Sequence, residues 1–313
     1  MTKVLITCPP ALATADQYLQ RLSPEGITVL LAEVVQQLSE EQLLDRIGDI
    51  DGLIAGDDQL TARVLEAALR LRVIVRWGIG MDNVDLQAAG RLGIRVVNTP
   101  GVFGDEVADV AIGYLILLAR QLHRVHEGVR AGHWPKPQGM SLAGRRLTIV
   151  GLGSIGRAVA RRALAMGMSI SGCDVTPAAR DAAAAEGIHV GQLDHLVEQC
   201  DALMLCSPLT PQTRQLVNAR LLERMPAGGW LVNVARGGLV DEAALIDALR
   251  SGHLAGAALD VFETEPLPLE SPLRDLGNVI FGSHNASNTV EAVRRVNELA
   301  CERLLQGLIE VSR

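Results

Sequence analysis

A glycine-rich segment in the middle of the chain has the spacing of a phosphate-binding loop: Gly151-Leu152-Gly153-Ser154-Ile155-Gly156. It follows a strand pattern over residues 147–150 and precedes a helical pattern over 157–166. In that setting the first glycine permits a tight turn, the second lets the backbone approach a pyrophosphate, and the third lets helix pack on strand. The helix N-terminus adds N–H groups that favour an anion. The segment predicts a dinucleotide site, against the alternative of a merely glycine-rich turn.

An acidic residue, Asp174, ends the next predicted strand, 18 residues after Gly156. A carboxylate at that position accepts hydrogen bonds from ribose hydroxyls and repels a 2′-phosphate, so it favours NAD over NADP. Arg180, six residues further on, could attract that phosphate. We weigh the carboxylate more heavily, because the charge at the end of the strand is negative.

Polar side chains also follow three later predicted strands. Arg236 precedes a glycine pair and could clamp a carboxylate with two parallel hydrogen bonds, although a surface ion pair is the alternative. Asp260, Glu263 and Glu265 form an acidic segment that could simply be solvated. His284 ends the last predicted strand, where an imidazole could exchange a proton near neutral pH. Ligands of open α/β sheets bind at the carboxyl ends of strands, so these residues are candidates for a site.

The elements that must position these residues alternate between short β-branched runs and helical patterns. This order predicts parallel sheets covered by helices on both faces. The pattern breaks at Thr99-Pro100-Gly101, where a long apolar helix over 105–122 follows, and we therefore expect two α/β units with a hinge near Pro100. A final helix over 290–306 could pack on either unit. Strands are predicted over 4–7, 28–31, 52–55, 73–76, 95–98, 146–150, 169–173, 202–206, 229–234, 256–260 and 279–282.

Length and composition agree with a two-domain enzyme. The chain has 313 residues, 48% of them apolar and 21% charged, and its net charge of −7 gives no support for a nucleic-acid partner. We find no apolar run long enough for a membrane span or signal peptide. The five scattered cysteines read as buried thiols of a reducing cytosol, so we expect a cytoplasmic protein. His123 and His126 lack a third ligand, so no metal site is predicted.

Taken together, these motifs resemble the D-isomer-specific 2-hydroxyacid dehydrogenases, and most closely the D-3-phosphoglycerate dehydrogenase type. The resemblance covers nearly the whole chain. It implies a Rossmann NAD domain, residues 101–285, inserted in a flavodoxin-like substrate domain formed by residues 1–100 plus 286–313. It also implies a homodimer and closure about the hinge. The segments that carry the resemblance are 76–85, 98–101, 107–109, 151–156, 207–210, 233–238, 259–266 and 283–289.

The resemblance implies a catalytic trio. His284 is similar to the acid/base that exchanges a proton with the 2-hydroxyl group, and Glu265 to the carboxylate that orients it. A nearby carboxylate favours the imidazolium form. Arg236 is similar to the residue that binds the substrate carboxylate and polarises the C2 oxygen.

Binding residues follow from the same resemblance. Ile79 and Gly80 belong to the loop whose N–H groups hold the substrate carboxylate, and Asp260 should receive the nicotinamide carboxamide. Arg76 could meet a distal phosphate, with capping of its strand as the alternative. The cofactor should contact Thr99, Gly151, Gly153, Ser154, Ile155, Gly156, Asp174, Ser207, Val234, Ala235 and Asp260.

Several positions depart from the family pattern. Ser283 replaces a common proline, and Asn285 and Asn288 replace less polar residues, which leaves substrate choice open. The chain ends soon after the last helix, so we expect no C-terminal regulatory domain. The first candidate substrate is 3-phosphoglycerate. The alternatives are a hydroxypyruvate/glyoxylate or pathway-specific 2-oxo acid reductase on the same scaffold, and an NAD-sensing, corepressor-like binding protein.

Overall fold

The computed structural model describes residues 1–310 and divides the chain into two compact units. One unit comprises Met1–Val102 and the segment that starts at Asn288; the other comprises Phe103–Ser287. The second unit is thus inserted in the sequence of the first. The last three residues of the predicted substrate domain, 311–313, lie outside the described residues.

Each unit contains one parallel sheet. The strands of the first unit are β1 (Thr2–Ile6), β2 (Ile27–Leu31), β3 (Gly52–Ala55), β4 (Val73–Arg76) and β5 (Arg95–Asn98). Those of the second unit are β6 (Arg146–Val150), β7 (Ser169–Cys173), β8 (His189–Val190), β9 (Ala202–Leu205), β10 (Gly229–Asn233), β11 (Leu254–Leu259) and β12 (Val279–Phe281). The α-helices are α1 (Pro9–Leu12), α2 (Ala15–Leu22), α3 (Glu40–Ile47), α4 (Ala62–Ala67), α5 (Leu86–Arg91), α6 (Gly104–Arg120), α7 (Leu122–Arg130), α8 (Ser154–Ala165), α9 (Pro177–Ala185), α10 (Leu193–Leu196), α11 (Ala219–Arg224), α12 (Glu242–Arg250) and α13 (Val290–Glu310).

The strand orders identify both sheets. The first sheet runs β2-β1-β3-β4-β5, which is the flavodoxin-like order. The second runs β12-β11-β10-β9-β6-β7-β8; with β6 counted as strand 1, this is the order 3-2-1-4-5-6 of dinucleotide-binding sheets, extended by one strand. The predicted fold class, a Rossmann sheet and a flavodoxin-like sheet, is confirmed.

Apolar strands form the centre of each sheet. Every residue of β3, β4, β9 and β10 is buried, because helices cover both faces of a parallel sheet. Several helices, among them α3, α4, α5, α11 and α12, begin at a residue whose side chain accepts from an N–H group of the first turn. Ser39, for example, caps α3 and shares a capping box with Gln42.

Several element bounds differ from the prediction by one to four residues, and two further differences have a physical reason. The long apolar helix ends at Arg120 rather than at residue 122, because Gln121 adopts a left-handed conformation with φ of 51° and separates α6 from α7. Strand β8 was not predicted, since two residues are too few to show the hydrophobic pattern of a strand.

The last helix, α13, packs on the first unit, where Asn297 forms a buried hydrogen-bonded hub. Its Oδ1 accepts from Tyr18 Oη at 2.7 Å and from Trp77 Nε1 at 2.8 Å. Its Nδ2 donates to Thr14 Oγ1 and Gln17 Oε1, both at 2.9 Å. All four hydrogen-bonding positions of the amide are therefore used, and the hub ties α13 to α2 and to the residue that follows β4.

The described part of the chain contains no helix that is long and apolar enough to cross a membrane. Residues 1–310 likewise contain no group of three or more His, Cys, Asp or Glu side chains placed to hold a metal ion. All five cysteines are free thiols.

Candidate active site

The glycine loop lies between β6 and α8, and its three glycines serve different needs. Gly151 has φ of +93°, and a Cβ there would lie 2.7 Å from Ser207 N. A Cβ on Gly156 would lie 1.9 Å from Gly151 O, so only glycine lets α8 pack this closely. Gly153, in contrast, has open space around its Cβ position and precedes α8 without a side-chain cap. The loop therefore leaves room and N–H groups for an anion.

Asp174 follows β7 and is joined to this loop. Its Oδ2 accepts from Leu152 N and its Oδ1 from Thr176 N, both at 2.8 Å. Arg180 Nη1 donates to the carbonyl oxygens of Asp174 and Val175 at 3.1 Å. The carboxylate is therefore fixed beside the glycine loop, while the nearby guanidinium is held by backbone carbonyls; the predicted contact with ribose hydroxyls stays a prediction.

Ser207, after β9, borders the loop from the other side. It is buried, and its Oγ has no hydrogen-bond partner among the described residues. A buried hydroxyl without a partner is unfavourable unless a ligand or water satisfies it. The open Gly153, the anchored Asp174 and this hydroxyl together fit a dinucleotide such as NAD.

His284 and Glu265 are in direct contact. His284 Nδ1 lies 2.7 Å from Glu265 Oε2, while Glu265 Oε1 accepts from Phe262 N at 2.9 Å. The two side chains are 22% and 15% exposed, respectively. Because a carboxylate only accepts, Nδ1 carries the hydrogen and Nε2 is the nitrogen that can exchange a proton with a substrate.

The backbone at His284 is left-handed, with φ of 55°, which is uncommon for a residue other than glycine. Asp260 holds this turn through two of its groups. Its carbonyl oxygen accepts from His284 N at 2.7 Å, and its carboxylate accepts from Ala286 N at 3.0 Å and from Asn285 N at 3.4 Å. Asp260 therefore positions the imidazole; its predicted contact with a carboxamide stays a prediction.

Tyr114, on α6, completes this arrangement. Its hydroxyl donates to Asp260 Oδ1 at 3.0 Å, and burial together with the neighbouring carboxylate raises the pKa of Tyr114. A Cβ on Gly282 would lie 2.1 Å from Asp260 Oδ1 and 2.2 Å from the Tyr114 hydroxyl, so only glycine fits at this position.

Arg236 follows β10 and is positioned by the buried Asn233. Asn233 Nδ2 donates to Arg236 O at 2.8 Å, and its Oδ1 accepts from Ala235 N at 3.0 Å. Arg236 Nη1 donates to Ala235 O at 2.8 Å. A Cβ on the next residue, Gly237, would lie 1.8 Å from the carbonyl carbon of Phe262. The arginine segment therefore packs against the loop that leads to Glu265.

Strand register explains why these residues meet. Asn233 pairs with Leu259, and Leu259 pairs with Phe281, so β10, β11 and β12 end at the same edge. The second unit thus brings Arg236, Glu265 and His284 to one edge of its sheet. Val234 and Ala235 lie in the turn after β10, at the same edge.

Four predicted residues lie in the first unit. Gly78 and Thr99 form three hydrogen bonds, of which the bond from Gly78 N to Thr99 Oγ1 is 2.9 Å long. Asn98 Nδ2 donates to Ile79 O at 2.8 Å, which holds the following part of the loop, and Gly80 comes next. The segment from Gly78 to Gly80, which we call the carboxylate loop after its predicted role, is therefore anchored to the end of β5.

The last of these four predicted residues, Arg76, ends β4, and its guanidinium lies inside the first unit. The side chain is 5% exposed, forms an ion pair with Asp57 and donates to Trp77 O. A Cβ on Gly78 would lie 2.9 Å from Arg76 Nη1, so the guanidinium lies directly against the carboxylate loop. These contacts favour the structural alternative for Arg76 over the predicted phosphate contact.

Three residues of this arrangement were not predicted: Asn233, Tyr114 and Asp57. Asn233 lies three residues before Arg236, and an asparagine at the end of an apolar strand was an available signal. The partners of Tyr114 and Asp57 are 146 and 19 residues away along the chain, and nothing local marks either contact.

Comparisons with known proteins point to one family. A family model described as "D-isomer specific 2-hydroxyacid dehydrogenase, NAD binding domain" matches residues 112–286. The chain is 36% identical to the glyoxylate reductase of Thermofilum pendens, over 95% of this chain and 92% of that enzyme. It is also 36% identical to the D-3-phosphoglycerate dehydrogenase of Methanocaldococcus jannaschii, over 98% of this chain but only 58% of that enzyme. The structure of an NAD-dependent formate dehydrogenase from Staphylococcus aureus in complex with NAD matches with a TM-score of 0.87 at 28% identity, over 98% of this chain and 95% of that chain.

Proposed function

Because the chain belongs to the D-isomer-specific 2-hydroxyacid dehydrogenase family and is an NAD-dependent oxidoreductase acting on a CH–OH group, we propose that it interconverts a small D-2-hydroxy acid and its 2-oxo acid. NAD, when bound, supplies the hydride acceptor or donor. The observation that carries the proposal is the 2.7 Å contact between His284 Nδ1 and Glu265 Oε2, at the sheet edge where Arg236 also emerges.

His284 exchanges the proton in this proposal. In the oxidation direction its Nε2 accepts the proton of the 2-hydroxyl group as the hydride leaves C2, and in reduction it returns that proton. Glu265 keeps the hydrogen on Nδ1 and stabilises the imidazolium that forms. The left-handed turn held by Asp260 keeps the ring in the orientation that proton transfer requires.

Arg236 binds and polarises the substrate. Its planar guanidinium can donate two parallel hydrogen bonds, one to the substrate carboxylate and one to the C2 oxygen, where negative charge develops during reduction. Support comes from Asn233, which holds the backbone of Arg236 through a 2.8 Å hydrogen bond. The N–H groups of Ile79 and Gly80 would hold the carboxylate from the carboxylate loop.

Two substrate groups remain candidates, since one relative named above is a glyoxylate reductase and the other a D-3-phosphoglycerate dehydrogenase. We retain 3-phosphoglycerate, with glyoxylate and hydroxypyruvate as the other group. The paired guanidinium of Arg76 supports the second group.

A homodimer and a cytoplasmic location complete the proposal. Helix α7 contains no buried residue, and exposed apolar side chains lie on and after it, with Leu122 45%, Val129 46% and Trp134 78% exposed. We assign the dimer contact to this segment, because exposed apolar surface often marks a protein contact. Light scattering after gel filtration would measure the mass and exclude the dimer if it gave that of one chain. The free thiols suit a reducing compartment.

The test is an NADH absorbance assay with glyoxylate, hydroxypyruvate and 3-phosphohydroxypyruvate, and with D-glycerate, D-lactate and 3-phosphoglycerate in the reverse direction. We expect turnover that is lost in His284→Ala, while NADH binding, followed by fluorescence, stays intact. A protein that binds NADH but turns over none of these acids would contradict the proposal and favour an NAD-sensing binding protein.

A further inference from the structure

We propose that Arg180 is a positioning residue for the cofactor: its guanidinium holds the turn that carries Asp174, and it thereby supports the binding of NAD rather than of a cofactor with a 2′-phosphate. The sequence alone left Arg180 as a residue that could attract such a phosphate. All residues that carry this inference belong to the second unit. The inference concerns cofactor binding and does not depend on which 2-oxo acid the enzyme turns over.

The turn between β7 and α9 is joined to the glycine loop. The carbonyl oxygen of Cys173, the last residue of β7, accepts from Gly151 N at 2.9 Å. Asp174 Oδ2 accepts from Leu152 N, and its Oδ1 accepts from Thr176 N, both at 2.8 Å. Each carboxylate oxygen keeps a lone pair for a further donor such as a ribose hydroxyl. The direction of those lone pairs is fixed only where the backbone of the turn is fixed.

Arg180 contributes two hydrogen bonds to that backbone. Its Nη1 donates to the carbonyl oxygens of Asp174 and Val175, each at 3.1 Å, and this nitrogen carries one hydrogen for each carbonyl. The Val175 side chain is 86% exposed, and Thr176 precedes α9 without a side-chain capping bond. Among the described residues, the guanidinium is therefore the side chain that, besides Asp174 itself, holds this turn.

The place of Arg180 in its helix agrees with this role. Arg180 is the fourth residue of α9, which starts at Pro177. A cation so close to a helix N-terminus is disfavoured by the helix dipole. Two carbonyl oxygens of the turn, which carry partial negative charge, offset that cost. The contacts with the turn thus account for a basic residue at a position where the helix itself disfavours one.

A receptor for a 2′-phosphate is the competing role. The other edge of the guanidinium, formed by Nε and Nη2, has no hydrogen-bond partner among the described residues. A 2′-phosphate at this turn would, however, approach the Asp174 carboxylate, whose two oxygens are held in place by N–H groups. Like charges at that distance repel, whereas a 2′-hydroxyl donates to the carboxylate. We therefore assign Arg180 to the turn.

The experiment measures the dissociation constants (Kd) of NADH and NADPH by fluorescence titration in the wild type and three variants. Arg180→Met removes the charge and both hydrogen bonds. Arg180→Lys keeps the charge, but its nitrogen lies one bond nearer to the backbone than Nη1 and cannot replace Nη1 on both carbonyls. Arg161→Met is the matched control: Arg161 lies on α8, is 54% exposed and pairs with Glu186, so its loss changes the net charge equally without touching the turn.

We expect the wild type to bind NADH more tightly than NADPH. Both Arg180 variants should raise the Kd of NADH by about fivefold, the loss expected when a partly exposed charge-assisted hydrogen bond no longer holds a binding turn. In Arg180→Lys the Kd of NADPH should rise less than that of NADH, because a 2′-phosphate gains nothing from the carboxylate. Arg161→Met should keep both constants.

Three outcomes would overturn the inference. A selective loss of NADPH binding in Arg180→Met would identify a phosphate receptor. A wild-type Kd of NADH in Arg180→Lys, with a raised value in Arg180→Met, would assign the effect to charge alone. Equal weakening of NADH and NADPH in Arg180→Lys would assign a merely structural role.

The result stays decisive if a variant or the proposed function fails. Urea denaturation checks the folding of each variant, and if Arg180→Met does not fold, Arg180→Lys carries the test through its NADH and NADPH constants. Because NADH binding needs no 2-oxo acid, the titration decides the role of Arg180 even for a protein without turnover.

Discussion

The contact between Glu265 and His284 yields the sharpest prediction, which is tested by Glu265→Gln. Each carboxylate oxygen of Glu265 accepts one hydrogen bond, Oε1 from Phe262 N and Oε2 from His284 Nδ1. An amide of the same size has one accepting oxygen. Either Phe262 N or His284 Nδ1 must therefore face an NH2 group. In the second case the imidazole hydrogen moves to Nε2, which can then no longer accept the substrate proton.

The size of the effect follows from the lost charge. Two unit charges about 4 Å apart interact by about 1 kcal/mol in water and about 4 kcal/mol at an effective dielectric constant near 20. Because His284 and Glu265 are 22% and 15% exposed, the loss should fall between these limits. We expect kcat to fall about 100-fold, which corresponds to roughly 2.7 kcal/mol of transition-state stabilisation.

The assay measures kcat and the KM for NAD in the oxidation direction, with Glu263→Gln as the matched control. Glu263 belongs to the same loop and exchanges hydrogen bonds with Glu242 instead of His284. We expect the control to retain kcat and both variants to retain the KM for NAD. A Glu265→Gln enzyme with kcat within about threefold of the wild type would refute the assigned role of the carboxylate.

Three other changes have expected outcomes. Tyr114→Phe removes the hydrogen-bond donor to Asp260 Oδ1 and should lower the unfolding free energy, measured in urea, by about 2 kcal/mol. It should also lower kcat more than it raises KM. Unchanged stability and kcat would show that this hydrogen bond does not support the His284 turn. Asn297→Leu leaves the Tyr18 hydroxyl and Trp77 Nε1 without an acceptor, so the unfolding free energy should fall by about 3 kcal/mol. A variant whose denaturation midpoint equals that of the wild type would contradict this expectation. Asp174→Asn removes the negative charge that repels a 2′-phosphate. The ratio of kcat/KM with NADH to kcat/KM with NADPH should therefore fall about tenfold. An unchanged ratio would assign cofactor choice to other residues.

Much of the fold could be predicted from local pattern. Strands over 52–55, 73–76, 95–98, 146–150 and 169–173 lie as predicted, because strands of a covered parallel sheet are apolar runs bounded by turn residues. The break at Gln121 could not be predicted, since a left-handed residue other than glycine leaves no trace in composition. The place of α13 was left open because helical periodicity shows which face is apolar but not which sheet it covers.

The candidate site likewise has residues that the sequence could predict and residues that it could not. Residues inside recognisable motifs, such as Gly151 and His284, could be proposed from sequence. Supporting groups could not, because their partners are distant in the chain: Tyr114 contacts Asp260 across 146 residues. Arg76 shows the limit most clearly. The sequence shows that position 76 carries a cation. The role of that cation depends on its ion pair with Asp57, 19 residues away, which only the structure shows.

The hub at Asn297 also bears on the order in which the protein folds during synthesis. Helix α13 packs on β3, β4 and α2, and Asn297 completes the hydrogen bonds of Tyr18 and Trp77, yet this helix is translated after the whole inserted unit. The inserted unit, Phe103–Ser287, has its whole sequence available before α13 emerges. The first unit must keep an apolar surface uncovered until then. The inserted unit can therefore complete its fold during synthesis before the first unit can, although it lies second in the chain.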